Sequence, residues 1–106
     1  MAKYLIEANY VGDGIKGLLK EGGTSRRAAV EAAAKTVGGS VDAFYYAFGE
    51  TDAYVIIDMP DNVTSAALAL TIAATGTVTL RTTVLLTPEE IDQAAKKSPS
   101  YRPPGQ

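Results

Sequence analysis

An α+β domain with elements in the order βαββαβ is the fold class that the sequence predicts, and three observations predict it. Four short runs rich in β-branched and aromatic residues are separated by two longer alanine-rich stretches with apolar residues at helical spacing. Only the second and third strands are joined by a short polar corner, Gly49-Glu50-Thr51-Asp52. Right-handed crossovers then place the first and third strands in the middle of one antiparallel sheet. This gives the order 4-1-3-2, with both main helices on one face, the split βαβ pattern.

The first strand is Lys3 to Tyr10, with Tyr4, Ile6, Ala8 and Tyr10 on one face and Leu5, Glu7 and Asn9 on the other. Gly12, Gly14 and Gly17 then spell GxGxxG, the fingerprint whose glycines admit a pyrophosphate at a helix N-terminus. Its context fails, because Gly22 and Gly23 interrupt any helix and the chain is short for a two-halved dinucleotide domain. The stretch reads as a flexible glycine-rich connection. Thr24 to Val37 is the first helix, with Ala29, Val30, Ala33 and Val37 on one stripe and Gly38 and Gly39 ending it. Thr24, Ser25, Arg26 and Arg27 gather hydroxyls, free N–H groups and two guanidiniums at its start. That set suits a phosphate or carboxylate, or else the arginines are solvated and pair with nearby acids.

Val41 to Phe48 is the second strand, with Phe44, Tyr46 and Phe48 opposite Ala43, Tyr45 and Ala47, and Ala53 to Met59 is the third, where Asp58 is the one acid. Asp61 or Asn62 caps the second helix, whose stripe of Val63, Ala66, Ala67, Leu70, Ala73 and Ala74 is expected to cover the sheet. Leu68, Ala69 and Ile72 occupy its other side. No charged residue stands between Asp61 and Arg81, so the outer face of this helix is expected to meet another chain. Thr77 to Leu86 is the fourth strand. Thr87-Pro88-Glu89-Glu90 opens a C-terminal helix with a capping-box pattern. Residues 1–97 form the domain and residues 98–106 a proline-rich tail, which either docks Tyr101 on a neighbouring subunit or is disordered.

Composition narrows the function classes. The chain has 106 residues, 46% hydrophobic and 21% charged, with a formal charge of −2. An acidic chain lacks the basic face that a nucleic-acid binder uses to displace counterions. Without Cys or His it has no thiolate nucleophile, no soft-metal site and no usual haem or zinc ligand, so neither a metal nor a cofactor is expected. No apolar run is long enough for a membrane span, and a cytoplasmic protein without nucleic-acid or membrane partners is expected. A sheet face this apolar points to a homodimer or higher oligomer.

The corner GETD, the strand AYVIIDMPDN, the helix SAALALTIAATG, the strand TVLLTPEE, the ending SYRPPG and the stretch GIKGLLKEGGTSRR together resemble the GYD-domain family. These are small bacterial proteins of the ferredoxin-like, dimeric α+β barrel superfamily. Thr51 stands where the family has the tyrosine of its name. The resemblance implies a dimer, and related barrel families include cofactor-free monooxygenases, muconolactone-type isomerases and haem enzymes. The function expected is a homo-oligomer with a small-molecule pocket, a cofactor-independent oxygenase or isomerase of aromatic or quinone-like compounds. The alternative is a non-catalytic assembly or ligand-sensing module. Glu7, Asn9, Asp58 and Arg81 are expected side by side on the open sheet face, with Tyr46 and Tyr54 as aromatic walls. The same four polar residues equally form an ion-pair ladder across a dimer interface. The pocket lies either between two sheets or between sheet and helices, where Tyr4 and Tyr10 would line it.

Overall fold

Strict alternation sets the core. In the computed structural model, which describes Met1–Gln106, strand β1 (Ala2–Tyr10) buries Tyr4, Ile6 and Ala8, and β3 (Ala53–Met59) buries Ala53, Val55, Ile57 and Met59. These residues point to one face because strand side chains repeat every second position. Between the strands lie α1 (Gly14–Glu21), α2 (Gly23–Thr36) and β2 (Ser40–Tyr46). After β3 come α3 (Asn62–Ala73), β4 (Val78–Leu85) and α4 (Pro88–Ala95). The fold is α+β, and its four antiparallel strands run in the order β2-β3-β1-β4, consistent with a ferredoxin-like arrangement.

Helices α2 and α3 cover the buried face. Ala34 of α2 and Leu68 of α3 join Tyr4, Ile6, Ile57 and Met59 in one apolar cluster. Tyr4 is only 1% exposed, yet its hydroxyl donates to Asn62 Oδ1 at 2.5 Å, so its polar tip is satisfied. The close approach of the α2–β2 turn to β3 depends on Gly39, since a Cβ there would lie 2.3 Å from Met59 Sδ and 2.8 Å from the Asp58 carbonyl oxygen. Asp61 caps α3, its Oδ1 accepting from the Thr64 N–H at 2.7 Å. That hydrogen bond holds the Asp61 carboxyl below its ordinary range. Thr87 and Glu90 complete the capping box of α4.

Three expectations are corrected. The glycine-rich stretch is neither a flexible connection nor a nucleotide loop. It folds as α1, with Gly14 so close to β4 that a Cβ would meet the Thr77 carbonyl oxygen at 2.1 Å. Gly22, at φ +84°, turns the chain from α1 into α2. In α3 the inward residues are Ser65, Leu68 and Ile72, while Val63 and Leu70 are 80% and 71% exposed. Every side of this helix is apolar, so spacing alone did not distinguish the face that packs. Strand β2 stops at Tyr46, two residues early, and Phe48 stands fully exposed in the loop to β3.

Helix α4 has no buried residue, and Ile91 is 52% exposed. With the tail it gives the chain a radius of gyration of 16.9 Å. A compact domain of this length has about 13 Å.

Candidate functional site

The strand register arranges the uncovered sheet face in rows. Ala43, Ile56, Leu5 and Thr83 form an apolar middle row across all four strands. On one side of it lies the row Tyr45, Tyr54, Glu7 and Arg81. There Arg81 Nη2 donates to Glu7 Oε1 at 3.3 Å, and the almost fully buried Thr51 donates to the same oxygen at 3.4 Å. On the other side, Lys3 lies between Asp58, at 3.0 Å, and Asp42, which a β-bulge turns towards it. The hydrogen bond that Lys3 donates to Asp42, then the one it donates to Asp58, holds its ammonium above the ordinary value. The hydrogen bond from Lys3 in turn holds Asp42 below the usual carboxylate range.

The expected polar foursome is therefore split. Glu7 and Arg81 meet, but Asp58 lies two rows away, about 14 Å along the strand at ~3.4 Å per residue, and belongs to Lys3. Asn9 is committed elsewhere, its Oδ1 accepting from the Asp52 N–H at 2.9 Å. Asp52 also accepts from the Tyr10 N–H at 2.9 Å, and its own N–H reaches the Ala8 carbonyl at 3.0 Å. Asn9 and Asp52 thus pin the β2–β3 corner onto the end of β1. Tyr54 shares the open face with Tyr45, whereas Tyr46 faces the helices and donates to the Gly23 carbonyl at 3.0 Å. Burial, followed by a hydrogen bond with Tyr10, pushes the Tyr46 phenol up to about 12.

A largely apolar space lies on the covered face. A cavity of about 160 Å³ opens between the sheet and helices α2 and α3, where small side chains leave a gap bounded by Val55, Phe44, Leu68 and Leu80. Its wall carries no carboxylate, and Arg26 is the one charged residue among fourteen. Tyr10 lines it but Tyr4 does not, since Tyr4 is packed beneath α3. Tyr10, Arg26, Ile72 and Val78 also line a second, more polar recess of about 320 Å³ beside α1, which includes Asp13 and Glu21. These four residues stand at the boundary between chamber and recess.

The set at the start of α2 also divides. Arg26 continues the inward stripe of Val30 and Ala33, three and four residues apart, and its Nη1 lies 3.4 Å from Glu21 Oε2. Arg27 is one position off that stripe and pairs with Glu31 at 3.9 Å. Thr24 and Ser25 are exposed, and Gly22, not either hydroxyl, occupies the capping position. The chamber's charged residue was visible in the sequence as an arginine on the apolar stripe.

A family model described as GYD domain matches residues 4–95. The chain belongs to the GYD-domain family. Nothing among the curated proteins and nothing among the solved structures matches it. In this GYD domain the Gly49 to Asp52 corner serves the fold through Asp52, while Thr51 supports Glu7. The chamber and its arginine lie on the opposite side of the sheet from the Glu7 and Arg81 pair.

Proposed function

We propose that this GYD-domain protein is a homodimeric small-molecule-binding domain, each copy holding one small, largely apolar ligand between its sheet and helices. The observation that carries the reading is the chamber itself. At about 160 Å³ it matches the ~150 Å³ apolar cavity known to take up benzene. Binding is favoured over turnover because no carboxylate faces the chamber and the nearby Tyr46 phenol stays protonated at neutral pH. Dimerisation is supported by the apolar middle row of the open face, flanked by Tyr45 at 71% and Tyr54 at 40% exposure. Two copies packed sheet to sheet would cover it, with α4 and Tyr101 within reach of the neighbour.

Titration calorimetry with toluene and sedimentation velocity test both halves. One toluene per chain and a dimer that Tyr45→Arg dissociates are expected. No heat of binding removes the ligand half, and a wild-type monomer at micromolar concentration removes the dimer half.

A further inference from the structure

We propose that the chamber selects a small monocarboxylate whose apolar tail is about the size of a benzene ring, with the tail in the chamber and the carboxylate on Arg26 at the boundary with the recess. This deepens, and rests on, the reading of the chamber as a ligand site. Three features assign the ligand class. The chamber wall is apolar except for Arg26, so one end of the ligand is apolar and a single group of opposite charge completes it. Arg26 lines both chamber and recess, and its Nη1 lies 3.4 Å from the recess residue Glu21, so its guanidinium is available to a polar head at the boundary. Its present partner is weakly held. Glu21 lies 3.4 Å away on a side chain 45% exposed, and ion pairs open to solvent are held weakly. A ligand carboxylate presented from an apolar chamber gains the shorter, charge-assisted bidentate contact that arginine favours, and displaces it.

The recess adds a filter. Asp13 and Glu21 stand on its wall beside Arg26, so once Arg26 is engaged a second negative charge on the ligand would face two acids. Monocarboxylates are therefore favoured over dicarboxylates and phosphates. Arg27 takes no part, since it is turned away and paired with Glu31.

The test compares benzoate with the neutral benzyl alcohol, by titration calorimetry on the full chain. Benzoate is expected to bind at least tenfold tighter than benzyl alcohol, and phthalate no tighter than benzyl alcohol. Arg26→Gln should abolish the preference, with a cooperative thermal melt showing that the variant is folded. Glu21→Gln should tighten benzoate by freeing the guanidinium, and Arg27→Gln should change neither ligand. If benzyl alcohol binds but benzoate binds no tighter, or if Arg26→Gln keeps the preference, this inference is overturned and the chamber stands. If neither molecule binds, the chamber reading itself has failed.

Discussion

Filling the chamber from within gives a test whose sign is decided by whether the space is empty. Ala33 is half-buried on the inward side of α2 and lines the cavity. Ala33→Leu adds three carbons, each stabilising by ~0.8 kcal/mol when buried, up to about 2.4 kcal/mol. Fixing the leucine costs ~0.5–1 kcal/mol of rotamer entropy, which leaves roughly 1.5 kcal/mol of added stability. For a domain of this size that raises the melting temperature by roughly 6–12 °C, at ~4–8 °C per kcal/mol. Calorimetric melting at matched protein concentration measures it, since dimerisation would make the midpoint concentration-dependent. The same variant should lose toluene binding. In a filled core the substitution would be overpacking and cost ~1–3 kcal/mol. A lower melting temperature, with toluene binding intact, would refute the reasoning.

Asp52→Ala removes the acceptor of the Tyr10 N–H and should cost ~1.5–3 kcal/mol, the range for hydrogen bonds to charged groups, whereas Asp52→Asn retains an acceptor and should lose less. Urea midpoints report both, and an alanine variant as stable as wild type would contradict the anchoring role of the corner. The Lys3–Asp42 pair should contribute stability between two limits. Asp42 is depressed, so its part is present above the ordinary 3.8 and lost as pH falls, while the raised Lys3 contributes below 10.5 and loses its part as pH rises. The raised Tyr46 phenol contributes below pH 10.0 and loses that contribution between 10.0 and about 12. Lys3→Met should therefore flatten the acid limb of a stability profile, and Tyr46→Phe part of the alkaline limb. Of these two contributions high salt should weaken that of the exposed lysine pair; a profile unchanged in both variants would exclude these groups.

Much of the fold was legible because each strand carries its own period of two, and because Asp61, Thr87 and Pro88 mark helix starts by chemistry that depends on no distant partner. What was illegible depended on tertiary choice. Gly14 lowers helix propensity, yet α1 forms because that glycine packs directly on Thr77. Helix α3 offered two apolar sides, and the sheet took the one with Ser65 and Leu68. Alternation told which face Glu7 and Asp58 share but not which row, since row is set by the pairing of Lys3 with Asp58 and Glu7 with Tyr54. Tyr46 and Tyr54 fall on opposite faces because the corner register pairs Tyr46 with Ala53 and Tyr45 with Tyr54. The chamber was the least visible feature. It arises where alanines of α2 and β3 approach across the same gap, which no single segment records.

Xenon enters dry apolar cavities and scatters strongly, so crystals pressurised with the gas test the chamber without any assumption about its natural ligand. A single bound xenon beneath α2 and α3, close to Val55, Phe44 and Leu68, is the predicted result. Crystals of the wild-type protein that take up xenon elsewhere, with side chains filling the space under α2, would contradict it.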